Sequence, residues 1–289
     1  MKTLKNFWYI AVLLLFFTPI LTSCGDDDGS ISLGTPKYES VSGKYNITSP
    51  GSQYRSIELG ASGNYIVITG SSYYAQQARS GQKKSSFFYQ DKTDASRATN
   101  YNGIIYGTYT QLADGSFDLE GFGIVKIIYA EDKTVTGIEL TPETGGPVTL
   151  TVEKEEVMAD DDMTNALCRT WRMDKLEINL TEGDQSFSAT VTRNNWQDYE
   201  IMETFGDEVL FSKSGTYMVT YVDGAIGISS WKWKNKDAGT IFYSWDNQWY
   251  EDEFVTLSFS GNTLIIHEVY EEDDYEYYKE ETYTYLVAE

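Results

Sequence analysis

The pattern that most restricts the fold of this chain is an alternation of apolar and polar residues that recurs along much of its length. In Val255-Thr256-Leu257-Ser258-Phe259 the apolar side chains share one face and the hydroxyls the other, and Ser260-Gly261-Asn262 then turns the chain into Leu264-Ile265-Ile266. Successive side chains of a strand point to opposite sides, so a period of two describes half-buried β-strands. Glu271 to Asp274 makes the next turn, and Tyr275 to Val287 returns as a long final strand. Nothing reads as a βαβ crossover, and there are only 5 prolines to interrupt strands. The expected fold class is all-β: antiparallel meanders closed into barrels, with one or two short helices. Ser72 to Arg79 and Asn195 to Thr204 are the longer helix candidates, and Asp161 or Asp162 is placed to cap a short one through Met163, Ala166 and Leu167.

A chain of 289 residues exceeds what most single cores hold, and an internal repeat divides it. Ser62-Gly63-Asn64-Tyr65-Ile66-Val67 and Ser214-Gly215-Thr216-Tyr217-Met218-Val219 share the pattern S-G-x-Y-x-V. Each follows an apolar run, Ile57-Glu58-Leu59 or Val209-Leu210-Phe211, and both read as hairpins with glycine at the turn. The openings of the halves also match, with Val41-Ser42-Gly43-Lys44-Tyr45 in the first and Leu167-Cys168-Arg169-Thr170-Trp171 in the second. Between Glu153 and Asp162 the strand pattern gives way to charges. Two β domains are expected, residues 41–157 and 158–289, following a leader over 1–23 and an acidic flexible tether over 24–40.

The second half combines Trp171 after a short helix, the S-G-x-Y hairpin, Trp231-Lys232-Trp233 and closing strands from Val255 to Val287. In this it resembles the lipocalin-like domains of Bacteroides-type lipoproteins. The first half resembles a divergent copy, with Tyr45 where tryptophan is usual. The resemblance implies small antiparallel barrels, sometimes hollow, with a binding role more often than an enzymatic one.

The amino terminus points to an address. Lys2 and Lys5 precede an apolar run from Phe7 to Ile20, which is shorter than the ~20 residues that span a bilayer and fits an export signal. Leu21-Thr22-Ser23-Cys24 resembles the bacterial lipobox, which implies cleavage before Cys24 and a diacylglycerol on its thiol. Two or more acyl chains anchor stably, so Cys24 is the expected lipidation site and the membrane the expected partner there. Asp26, Asp27 and Asp28 resemble the export tag of surface lipoproteins, which implies an outer-membrane protein exposed at the cell surface; a periplasmic leaflet is the alternative. A plain solvated tether would have the same composition.

Charge excludes other partners. The chain carries 22 Lys and Arg against 44 Asp and Glu, a formal charge of −22, and losing Lys2 and Lys5 with the leader makes it −24. Such a surface repels phosphate backbones, so no nucleic-acid partner is expected. Once Cys24 is modified, Cys168 is the one remaining thiol, and Ala166 and Leu167 beside it mark it as buried and structural.

Aromatic residues make up 15% of the chain, which directs attention to ligand-stacking platforms. Trp231 and Trp233 share one face of a strand while Lys232 and Lys234 take the other, a spacing that suits core packing as well as ligand contact. Trp245 and Trp249 flank Asp246-Asn247-Gln248, a better place for a solvent-facing platform. These four tryptophans are the candidate ligand-binding residues. His267 sits in an apolar strand with no second histidine and no cysteine nucleophile beside it, so no catalytic site is expected. The acidic turns Glu251-Asp252-Glu253 and Glu271 to Asp274 lack the spaced ligands and intervening glycine of a calcium loop. They read as solvated turns, and neither metal nor cofactor is expected. The expected function is a non-enzymatic module for a small apolar molecule or a glycan; the alternative is protein–protein interaction within a cell-surface complex.

Overall fold

The alternating segments form two consecutive eight-stranded antiparallel barrels. The computed structural model describes residues 38–70, 89–91, 103–199, 202–244, 249–272 and 277–288. The leader, Cys24, the helix candidate over Ser72 to Arg79, and Trp245 lie outside the described residues. The described residues belong to one compact unit.

In chain order the first half contains β1 (Gly43–Ile47), β2 (Tyr54–Leu59), β3 (Asn64–Thr69), β4 (Tyr89–Asp91), β5 (Ile104–Gln111), β6 (Phe117–Leu119), β7 (Gly123–Tyr129), β8 (Val135–Pro142) and β9 (Val148–Lys154). All of these except β4 close into a ring, with β1 beside β9 through Tyr45 opposite Lys154. After α1 (Asp162–Leu167) the second half runs through β10 (Thr170–Glu182), β11 (Gln185–Val191), β12 (Met202–Phe211), β13 (Thr216–Tyr221), β14 (Ile226–Asn235), β15 (Thr240–Ser244), β16 (Phe254–Ser260), β17 (Thr263–Glu272) and β18 (Tyr278–Ala288).

One long strand closes the second ring. The first residues of β10 pair with β12, Trp171 opposite Val209, while its later residues pair with β11, Ile178 opposite Ala189. A register shift between Met173 and Lys175 separates the two stretches along the β18 pairing. β4 belongs to neither ring and adds to the free part of β12, with Gln90 opposite Thr204.

The short helix is capped as the sequence suggests: Asp161 Oδ1 accepts from the Thr164 backbone N–H at 2.9 Å. The helix expected over Asn195 to Thr204 is not formed. A single 3-10 turn spans Trp196–Asp198 and the chain then enters β12. Asn195 Oδ1 accepts from the Thr192 backbone N–H at 2.6 Å, a local side-chain bond that competes with helix. Trp196 and Tyr199 pack on the apolar core, and Met202 to Phe205 are drawn into pairing with β4.

The matching openings do the same work in each barrel. Tyr45 is buried and its hydroxyl donates to the Val41 carbonyl at 2.6 Å; Trp171 is buried and its indole N–H donates to the Leu167 carbonyl at 2.9 Å. The pairing repeats at the hairpins, where Tyr109 donates to the Gly60 carbonyl at 2.8 Å and Trp231 to the Ser212 carbonyl at 3.0 Å. Tyrosine thus replaces tryptophan twice in the first barrel while each bond to an equivalent carbonyl is kept.

The barrels meet through their outer faces. Ile66 and Ile68 of β3 join Leu210, Met218 and Ile228 of the second barrel in one buried cluster, with Ile104 and Ile226 at its margin. Ile66 and Met218 are equivalent positions of the S-G-x-Y-x-V repeat. Each such side chain fully buried contributes ~1.5–3 kcal/mol. Beside the cluster, Lys213 is 3% exposed and its ammonium lies 2.5 Å from Glu39 Oε1 and 3.2 Å from Asp160 Oδ1. Glu58 is buried with it, and burial pushes its carboxyl above the ordinary carboxylate range although Ser212 and Thr216 donate to it.

Candidate functional site

Of the four candidate tryptophans, two are core. Trp231 is 1% exposed and meets Trp233 edge-on at 5.6 Å, and the Trp233 indole N–H donates to Thr164 Oγ1 at 3.2 Å. Alternation along β14 turns both inward and leaves Lys232 and Lys234 outside.

Trp249 lies on that outer side. The Lys232 ammonium stands 4.4 Å from the centre of its ring, and Phe242 is 6.4 Å away. Lys234 stands 3.9 Å from the Phe254 ring and pairs with Glu251 at 3.6 Å. The result is a lysine–aromatic lattice in which a cation already covers one face of the indole. Farther round the outer surface, His267 stacks on Tyr283 at 4.4 Å with Nε2 2.8 Å from Glu281 Oε1. Cys168 lies in the crevice between the barrels with Ser42, Ser62 and Ser212, and burial pushes its thiol up, which keeps it protonated.

A different site emerges from the register of the two barrels. The interior of the first is apolar along the ladder that runs from Leu119 of β6 through Val125 and Ile127 of β7 to Ile138 and Leu140 of β8 and Leu150 of β9. The pairings of the second barrel give each of these an equivalent. Tyr109 opposite Leu119 corresponds to Trp231 opposite Tyr243, and Ile127 opposite Ile138 corresponds to Leu257 opposite Ile266. Ile138 opposite Leu150 then corresponds to Ile266 opposite Thr284, and two residues beyond Ile138 and Ile266 stand Leu140 and Glu268. Tyr65 opposite Gly107 likewise matches Tyr217 opposite Ser229.

At equivalent inward positions, therefore, Gly107, Leu119, Leu140 and Leu150 of the first barrel become Ser229, Tyr243, Glu268 and Thr284 of the second. The changes share one wall. The Tyr243 hydroxyl donates to Glu268 Oε1, Thr282 stands directly opposite Glu268, and Glu280 accepts from Tyr278 at 2.9 Å. Tyr278, Glu280, Thr282, Thr284 and Leu286 are the buried alternate of β18. Thr282 and Thr284 are 1% and 0% exposed, and their hydroxyls have no hydrogen-bond partner among the described residues. Flanking β10 supplies Leu176 and Ile178, opposite Thr284 and Thr282, so the polar wall is bordered by hydrocarbon.

A buried hydroxyl without a partner costs ~1–3 kcal/mol, and a core that needed only filling would carry leucine here as the first barrel does. The Thr282 and Thr284 hydroxyls are thus polar groups that this interior offers beside hydrocarbon. An eight-stranded barrel is wide enough to be filled by side chains or to take one small ligand.

Neither a protein family nor a curated protein matches the sequence. Among solved structures the chain is similar to a "putative outer membrane protein" from Bacteroides fragilis, at 8% identity over 88% of this chain and 100% of that one. The TM-score of 0.28 is too low for that likeness to bear on function.

Proposed function

We propose that this protein is a lipid-anchored, non-enzymatic binding protein of the outer membrane, exposed at the cell surface, whose second barrel takes up one small molecule and whose first barrel is a filled scaffold. The observation that carries the reading is the contrast between equivalent interior positions: Leu119, Leu140 and Leu150 in one barrel against Tyr243, Glu268 and Thr284 in the other. Selection for stability alone has no reason to place polar groups on one wall of one copy. The lipobox-like Leu21-Thr22-Ser23-Cys24 and the acidic tract after it support the address. Replacing Cys24 with Ser is expected to stop incorporation of labelled palmitate and move the protein out of the membrane fraction.

The test of binding is native mass spectrometry of residues 25–289 after incubation with lipid and glycan extracts. A retained mass of a few hundred daltons is expected with the wild type. It should be absent from a variant carrying the first-barrel residues at Tyr243→Leu, Glu268→Leu and Thr284→Leu. A clean apo mass with every extract, or equal retention by both forms, overturns the interior site. A second reading, a docking surface for a protein partner, is favoured by the outer lattice around Trp249, where Phe254 is 39% and Tyr250 43% exposed. Loss of a stoichiometric partner from membrane pull-downs on Trp249→Ala and Phe254→Ala would support it.

A further inference from the structure

We propose that the open edge of β11 is a docking site for an extended, basic strand of another protein, which joins the sheet of the second barrel through its backbone. The site is independent of the barrel interior and of the lattice around Trp249.

The closed first ring gives each of its strands two neighbours. In the second, the start of β10 pairs with β12 and its remainder with β11, so among the described residues one side of β11 has no partner strand. β4 also has one open side, but it is three residues long and ends in Asp91, and shortness and charge both keep an edge from pairing. β11 has neither protection. Its seven residues, Gln185-Ser186-Phe187-Ser188-Ala189-Thr190-Val191, include no charge and no proline, in a chain whose formal charge is −22.

The register identifies the groups that this edge offers. A two-residue turn, Gly183-Asp184, joins β10 to β11, with Gly183 at φ +58° and Glu182 opposite Gln185. The pair closing such a hairpin exchanges both of its backbone bonds, so Gln185, Phe187, Ala189 and Val191 direct N–H and C=O to β10. Ser186, Ser188 and Thr190 direct theirs away. The Thr190 carbonyl agrees, since it accepts from Asn195 Nδ2 at 3.2 Å and from the Tyr199 hydroxyl at 3.3 Å, both outside the hairpin. Those bonds seal one end of the edge and leave Ser186 and Ser188 as its next donors and acceptors.

Side chains define the partner. Phe187 stands opposite Leu180, is 43% exposed and meets Tyr199 edge-on at 6.4 Å, so an added strand would lay an apolar residue beside it. Glu182 and Asp184 are exposed at the turn, Asp198 is exposed beyond the other end, and Arg193 is already paired with Asp207. A strand that alternates apolar residues with lysine or arginine covers Phe187 and meets these acids. An acidic strand, or a second copy of this chain, brings more negative charge to the same place.

Fluorescence anisotropy of residues 25–289 with a labelled peptide of alternating lysine and valine tests the proposal. That peptide is expected to bind at least tenfold more tightly than a glutamate–valine peptide of equal length. It should also bind at least tenfold more tightly than its own form with methylated backbone nitrogens, which keeps the charge and removes strand pairing. Ser186→Pro and Ser188→Pro each delete an outward N–H and, with folding checked by circular dichroism, should weaken binding at least fivefold. A methylated peptide that binds as well as the plain one overturns the proposal, because charge alone then holds it. Equal binding of the glutamate peptide, no binding of the lysine peptide, or unchanged affinity in both folded proline variants overturns it as well. Where a proline variant fails to fold, the plain and methylated peptides on the wild type still decide. A wild type that sediments as a dimer and a Ser188→Pro variant that sediments as a monomer would assign the edge to a second copy instead, and overturn the proposed partner.

Discussion

Tyr45 and Trp171 show how one residue can be exchanged while its role survives. Each is buried in its barrel and donates to the carbonyl four residues before it. Tyr45→Phe keeps the ring and removes the donor, so it should cost about 1–3 kcal/mol, read as a fall in denaturation midpoint without a change in slope. Glu58 is the opposite case, a residue whose burial works against the fold. Its raised pKa means that the folded protein retains a proton the unfolded chain has released, so stability is lost as pH rises through and above the ordinary carboxylate range. Glu58→Gln should therefore melt higher than the wild type at pH 8, by roughly 2–4 °C for each kcal/mol relieved, with the difference vanishing near pH 4. The sequence made Tyr45 visible as the counterpart of Trp171 because the openings align. It could not show Glu58 as buried, since a carboxylate in a strand reads as solvent-facing until a second barrel is laid over it.

Strands and their turns were the most legible elements, for the reason that period two and glycine are both local signals. Gly63 and Gly215 close equivalent hairpins at φ +96° and +78°. A Cβ on Gly215 would lie 3.0 Å from the Trp231 carbonyl oxygen. Gly215→Ala is therefore expected to destabilise the protein by about 1–3 kcal/mol through strain and displacement of that carbonyl, measured by denaturant titration. What local signals could not settle was which alternate of a strand faces inward. In Thr282-Tyr283-Thr284-Tyr285 neither alternate is clearly the apolar one, and it is the threonines that are inside while Tyr285 donates outward to Glu177 at 3.1 Å. The candidate site stayed hidden in the sequence for that reason: it lies in the register between strands, and only comparison of two closed ladders brings it out. The tryptophans were conspicuous, but alternation had already committed Trp231 and Trp233 to the core. The segment from Asn195 was misread as helix because its partner strand, β4, lies more than a hundred residues earlier.

At the scale of the molecule, the apolar cluster shared by the barrels should make them melt together. Calorimetry of residues 25–289 is expected to show one transition, and Ile68→Glu with Met218→Glu should split it into two. Two separate transitions in the wild type would mean that the shared cluster does not couple the barrels. The placement of β4 reaches further. It leaves the first barrel between β3 and β5, yet its partner is β12, on the other side of the linker. As the chain is made from its amino end, the first ring has all eight of its strands by Lys154, while β4 must wait for residues that arrive some fifty positions later. Assembly thus has a built-in order, in which the finished amino-terminal ring holds out a strand and the carboxy-terminal half is received onto it.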